Sequence, residues 1–117
     1  MDEFTITEKK QDGLVIICLN GFLDAHTSNI LEKKFEELLS LKSFKIVVNF
    51  SGLTYISSAG LGVFMAYIET MRNNSGDIKL CNMSDKIFNI FDMLGFPVLF
   101  SITKEENECI SKFTETV

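Results

Sequence analysis

The chain is short of the residues that divide, staple or anchor a small protein. Pro97 is the single proline of 117 residues, and no Pro-, Gly- or Ser-rich tract interrupts the pattern, so a single domain over residues 1–117 is expected. Cys18, Cys81 and Cys109 are an odd set with no C-x-x-C spacing, which indicates neither a zinc site nor a disulfide framework and predicts reduced thiols in a cytoplasmic protein. Basic residues are outnumbered, 11 against 16 acidic, and they are scattered. Without clustered Lys and Arg to neutralise phosphates, a direct nucleic-acid partner is not expected. The longest apolar stretches, at 15–19 and 61–68, fall far below the roughly 20 residues that span a bilayer, which predicts no membrane insertion. The start, "MDEFTITEKK", is acidic and alternating where an export signal is basic and then apolar.

What is present is apolar and patterned. Hydrophobic residues make up 46% of the chain and include eleven Phe, enough to fill one core. Phe4, Ile6 and Glu8 alternate with threonines, and "QDG" at 11–13 predicts a hairpin turn into "LVIICL" at 14–19, a run suited to a strand buried on both faces and ended by Asn20-Gly21. Leu31, Phe35, Leu38 and Leu39 recur at helical spacing between Thr27 and Leu41, with Thr27 or Ser28 as the N-cap. "KIVVNF" at 45–50 predicts a second buried strand, Val63 to Met71 a second helix, and "DIKLCN" at 77–82 another strand. Ser84 is placed to cap a helix carrying Ile87, Ile90, Phe91 and Leu94 on one face and closed by Gly95 and Pro97. "VLFSI" at 98–102 reads as a short strand, and the tail from Thr103 as a last helix docked through Cys109, Ile110 and Phe113. The order β-β-α-β-α-β-α-β-α predicts an α/β fold: a mixed sheet of four to five strands, with about four helices packed mainly on one side. Phe35, Leu38, Val47, Phe64, Ile68 and Phe91 are the expected core.

In a mostly parallel sheet, functional loops gather at the carboxyl ends of the strands. Two such ends stand out, "GFLDAHT" and "YISSAG". Ser57 and Ser58 open the second helix. There, one hydroxyl could simply cap a free N–H, or a phosphate on it could be held by the helix terminus. Gly60 and Gly62 suit either close helix packing or the approach of a partner backbone. Asp24, His26 and Ser58 nominally supply a hydrolase triad, but Ile56 occupies the position where a nucleophile elbow needs its first glycine, and a lone loop histidine is most often solvated. No G-x-x-x-x-G-K-[ST] stretch is present to hold a triphosphate. Leu61, Val63 and Met65 exceed what one helix face buries alongside Phe64, Tyr67 and Ile68, which predicts an exposed apolar patch beside Ser58 unless the helix is covered on nearly all sides.

"LNGFLDAHT", "VVNFSGLTYISSAGLGVF" and "FDMLGF" together resemble the STAS domain, in the form of stand-alone bacterial anti-sigma-factor antagonists. The resemblance runs through nearly the whole chain in order. It implies a non-enzymatic protein without cofactor or metal that binds an anti-sigma serine kinase and so frees a sigma factor. The kinase then phosphorylates a serine at the start of the second helix, the complex dissociates, and a phosphatase resets the switch. The family pattern Asp-Ser-Ser/Thr-Gly places the modified serine at Ser58. Ser57 stands where the aspartate is usual, which makes it a second candidate acceptor, and Ala59 precedes Gly60. The partner surface implied is Asp24, Ser57, Ser58, Ala59, Gly60, Leu61 and Gly62. In the Gly-Glu-Leu-Asp motif, Phe22 replaces the usual Glu while Gly21, Leu23 and Asp24 match, so Asp24 should lie beside the serine loop. Other members of the fold serve as scaffold subunits of signalling complexes or as accessories of a lipid transporter.

Overall fold

The computed structural model describes residues 3–114. Strands β1 (Thr5–Gln11) and β2 (Leu14–Leu23) form the expected hairpin, with Asp12 and Gly13 at positive φ in its two-residue turn. Then follow α1 (Ser28–Ser40), β3 (Lys45–Ile56), α2 (Ser58–Asn73), β4 (Asp77–Cys81), α3 (Asp85–Met93), α4 (Phe96–Leu99), β5 (Ile102–Thr103) and α5 (Glu106–Thr114). The sheet order is β1-β2-β3-β4-β5, with β1 antiparallel to β2 and every other pair parallel. The last residues of the expected tail helix, 115–117, lie outside the described residues, as do residues 1 and 2. Among the described residues no helix is long and apolar enough to cross a membrane.

Strand alternation sorts the core into two layers. Val15, Ile17, Leu19, Ile46, Val48, Phe50, Ile78 and Leu80 point to one face, where they meet Leu31, Phe35 and Leu38 of α1, Phe64, Ile68 and Met71 of α2, and Ile87 and Phe91 of α3. Leu14, Ile16, Val47 and Cys81 point to the other, under Cys109 and Ile110 of α5. All six expected core residues are buried, although Val47 belongs to the α5 side.

Four local expectations change. Asn20-Gly21 does not end β2: the strand shifts register there, with Gly21 at φ +95°, and continues to Leu23. β3 likewise runs past Phe50 to Ile56, its Leu53 and Ile56 keeping inward positions beside the lengthened β2. "VLFSI" is not a strand, because Gly95 in the left-handed region and Pro97 near the helix start launch the short helix α4. Phe96 and Phe100 then stack with ring centroids 5.5 Å apart, a helical i,i+4 contact that overrides the β-branched composition; only Ile102 and Thr103 join the sheet. Leu94, expected on the inner face of α3, is 58% exposed at the helix end. Ser84 caps α3 as expected, its Oγ accepting from the Ile87 N–H at 3.2 Å.

Candidate functional site

The site is built by the extensions of β2 and β3 that the sequence pattern did not reveal. Leu23 pairs with Ile56 at the carboxyl ends of the two strands, and the Ser57 N–H donates to the Leu23 carbonyl at 2.9 Å. The Asp24 loop and the serine loop are thereby fastened side by side.

Asp24 opens a tight turn before α1. Its Oδ1 accepts from the backbone N–H groups of His26 at 2.9 Å and Thr27 at 3.2 Å. Thr27 takes the N-cap position, but its hydroxyl turns back from the helix: it accepts from the Asp24 N–H at 2.9 Å and donates to the Phe22 carbonyl at 2.8 Å. The carboxylate is thus committed to organising its own loop. His26 engages it through its backbone N–H and not its ring, which is not the orienting contact a hydrolase triad requires.

Ser57 and Ser58 are adjacent in sequence and opposite in environment. Ser57 is the N-cap of α2, and its carbonyl accepts the Leu61 N–H at 3.0 Å. Its side chain does not cap: Oγ is buried and has no hydrogen-bond partner among the described residues, contrary to the capping role the sequence suggested. Ser58, the first helical residue, is exposed. The N–H groups of Ser58, Ala59 and Gly60 form the first turn, where no preceding helical carbonyl can accept them, and no acidic residue lies in that turn to offset the positive end of the helix.

The two glycines have different reasons. A Cβ at Gly60 would come within 2.7 Å of Leu23 Cγ and 3.1 Å of Ile56 Cγ1, so glycine there lets α2 start hard against the strand ends. A Cβ at Gly62 would meet nothing within 4 Å. Gly62 is exposed one turn beyond Ser58, and among the described residues no packing asks for a glycine at this position.

The expected apolar patch is mostly absent. Leu61 is 6% and Val63 4% exposed, because α2 is enclosed by the sheet, by α1 through Phe35, by α3 through Phe91 and by Phe100 just after α4; of the three only Met65 emerges, at 44%. Leu61 and Gly60, anticipated as partner-facing, therefore support the loop from beneath. The apolar surface near the site comes instead from Phe22 and Tyr55, register partners on β2 and β3 whose rings lie 5.6 Å apart and are each about 40% exposed. The repeated spacing Phe22-x-Asp24 and Tyr55-x-Ser57 is the signal that could have found this pair, once the strands were known to run that far.

A second loop at this end of the sheet went unnoticed in the sequence. Asn82, directly after β4, has φ +59° and a buried Oδ1 with no hydrogen-bond partner among the described residues. Met83, Asp85 and Phe88, which follow it, line a cleft of about 390 Å³ together with Ile102, Thr103 and Lys104. Among the described residues no group of three or more His, Cys, Asp or Glu could hold a metal ion.

A family model for the STAS domain matches residues 5–109. The chain belongs to the STAS domain family. An anti-sigma F factor antagonist of Paenibacillus polymyxa is 27% identical over 104 residues, covering 88% of this chain and 86% of that protein. An anti-sigma factor antagonist from Mycobacterium paratuberculosis has the same fold at TM-score 0.86 and 17% identity, covering 95% of this chain and 94% of that one. SpoIIAA, another anti-sigma factor antagonist, matches in its unphosphorylated form at TM-score 0.74 and 21% identity, covering 97% of this chain and all of that one. Its phosphorylated form, from Bacillus, matches at TM-score 0.70 and 22% identity, covering 95% of this chain and 99% of that one.

Proposed function

We propose that this STAS protein is an anti-sigma factor antagonist switched off by phosphorylation of Ser58, with an anti-sigma serine kinase as its binding partner and a serine phosphatase as the enzyme that resets it. The observation that carries this reading is the contrast between the two serines. Ser58 presents an exposed hydroxyl at the start of α2, whereas the Ser57 hydroxyl is buried. The surface offered to the kinase is Ser58 and Gly62, with Asp24, Ser57 and Ala59 half-buried around them and the Phe22–Tyr55 pair at the rim.

The same geometry accounts for a switch in binding without a change of fold. A phosphate adds about −1.5 to −2 charges at pH 7. On Ser58 it sits at a helix terminus that carries no carboxylate of its own, so the free N–H groups and the helix dipole accommodate it within the protein. A partner packed against the bare Gly62 surface meets both new bulk and a desolvation cost. Ser57 in place of the family aspartate leaves the helix end uncompensated, which favours the phosphorylated state.

The test is incubation with the cognate kinase and ATP, followed by site mapping and a binding measurement. Phosphate is expected on Ser58. Ser58→Ala should remove it while preserving kinase binding, and Ser58→Asp should weaken binding. Ser57→Ala should leave phosphorylation intact at little stability cost, because it deletes a buried hydroxyl that has no partner. Phosphate on Ser57 alone would overturn the assignment, and phosphate on neither serine would move the protein to a scaffold or transport-accessory role.

A further inference from the structure

Three cysteines with no motif spacing become a pair and a single once the chain folds. Cys81, the last residue of β4, and Cys109, on α5, are both fully enclosed in the small core with Leu14, Ile16, Val47 and Ile110. Cys18 packs at the margin of that cluster and remains half-buried. The two enclosed thiols share one cluster at the seam between β4 and α5. Cys81 Sγ also lies 3.6 Å from the Val48 carbonyl oxygen. Hydrogen bonding with Cys109 and then burial push the Cys81 thiol up, while hydrogen bonds from Cys81 and Thr103, with the Lys79 ammonium nearby, hold Cys109 below the ordinary thiol range against the effect of burial. Cys109 rides on the helix and Cys81 on the strand, so a movement of α5 uncovers Cys109 first and its return brings Cys109 back onto Cys81.

We propose that Cys81 and Cys109 are a peroxide-responsive modification site, closing an intramolecular disulfide that fastens α5 to β4. The Cys109 thiolate attacks one oxygen of hydrogen peroxide, the O–O bond breaks, and the hydroxide released takes up a proton to leave as water. The sulfenic acid formed on Cys109 is then attacked by the Cys81 sulfur, which loses its proton as a second water departs and the S–S bond forms. Two thiols are oxidised and one peroxide is reduced to two waters. Access comes from the slightness of the α5 seat. Cys109 and Ile110 are the buried residues of this nine-residue helix, so α5 opens locally at lower cost than the sheet, exposes Cys109 to a small oxidant as an ordinary thiol in equilibrium with its thiolate, and recloses to bring the oxidised sulfur onto Cys81. Once closed, the bond removes that opening and restricts the chain between the two positions.

The full chain, treated with hydrogen peroxide under native conditions, alkylated and digested with trypsin without reductant, reads the answer directly. Cleavage at lysines places Cys81 in residues 80–86, Cys109 in 105–112 and Cys18 in a third peptide. The expected product is the first two joined, about 2 Da below their summed mass and released by reductant. It should persist in Cys18→Ser and vanish in Cys81→Ala and in Cys109→Ala. Hydrogen exchange of the α5 amides should slow severalfold after oxidation. Disulfides running to Cys18 or between molecules, or full alkylation of Cys81 and Cys109 when the peroxide-treated protein is later denatured, would overturn the proposal. Because the wild-type digest decides the matter alone, misfolding of a variant leaves the test intact.

Discussion

On one face of the sheet Phe64 meets four other phenyl rings, with centroids 5.6 Å from Phe50, 6.0 Å from Phe35, 6.2 Å from Phe91 and 6.5 Å from Phe100. On the other face α5 rests on Leu14, Ile16, Val47 and Cys81, and its rim is held by polar contacts: Glu106 pairs with Lys9 at 2.9 Å and accepts from Asn49 Nδ2 at 2.9 Å. The aromatic face also carries the site, since Leu61 and Phe64 are the buried side of the helix that Ser58 begins. Stability and function are therefore joined on that face. The α5 face fastens the last described helix and carries none of the serine-loop residues.

Phe64→Ala should do the greatest damage, about 3–5 kcal/mol, because the surrounding rings cannot collapse into the space. Urea denaturation checks it. A loss below about 1 kcal/mol would mean that the ring cluster is not what supports α2. Ile110→Ala tests the lighter face, with an expected cost of about 2 kcal/mol, at the lower end for such a truncation because α5 can detach while the sheet stays closed. Hydrogen exchange should then show α5 amides losing protection while β2, β3 and α2 keep theirs. Equal loss of protection throughout would erase the distinction between the faces.

Much of this contrast was legible in the sequence, and the limits follow from particular residues. Phe35, Leu38, Phe64, Ile68 and Phe91 announce the aromatic layer by helical spacing, and "LVIICL" and "KIVVNF" announce strands covered on both sides. Spacing could not tell that Val47 faces α5 while Val48 faces α2, since a strand buried on both sides shows no alternation. Nor could it show that Leu61 and Val63 would be enclosed, because that depends on how closely α1, α3 and α4 flank α2. The adjacency of Asp24 and the serine loop came from family resemblance and now rests on the Leu23–Ile56 pairing. The difference between two neighbouring serines lies in backbone geometry that the letters do not contain.

The smallest expected effect concerns the polar rim of the α5 face, and pH resolves it. Burial works to raise the Glu106 carboxyl, but the hydrogen bonds from Asn49 and Lys9 outweigh it and hold the group below its ordinary value of 4.5. A carboxyl depressed in the folded state stabilises the protein above its unfolded pKa, and that contribution is lost as pH falls through the folded value. The Lys9 ammonium is raised above 10.5 by its hydrogen bond with Glu106, so its part is present below that pH and fades as pH climbs past the folded value. The pair consequently works across the neutral range and fails first in acid. Glu106→Gln should cost at most about 1 kcal/mol at neutral pH, since Lys9 is exposed and solvent screens the pair from that side. In urea melts the gap between variant and wild type should narrow steadily below about pH 4.5, where the wild-type carboxylate begins to protonate in the unfolded chain. None of the five rings around and including Phe64 titrates, and the carboxylate contact of that face, Glu36 accepting from the Tyr67 hydroxyl, lies outside the ring cluster the substitution empties, so the Phe64→Ala deficit should stay nearly constant over the same range. A Glu106→Gln gap that stays unchanged down to about pH 3 would show that this residue holds α5 by packing and neutral hydrogen bonding rather than by charge.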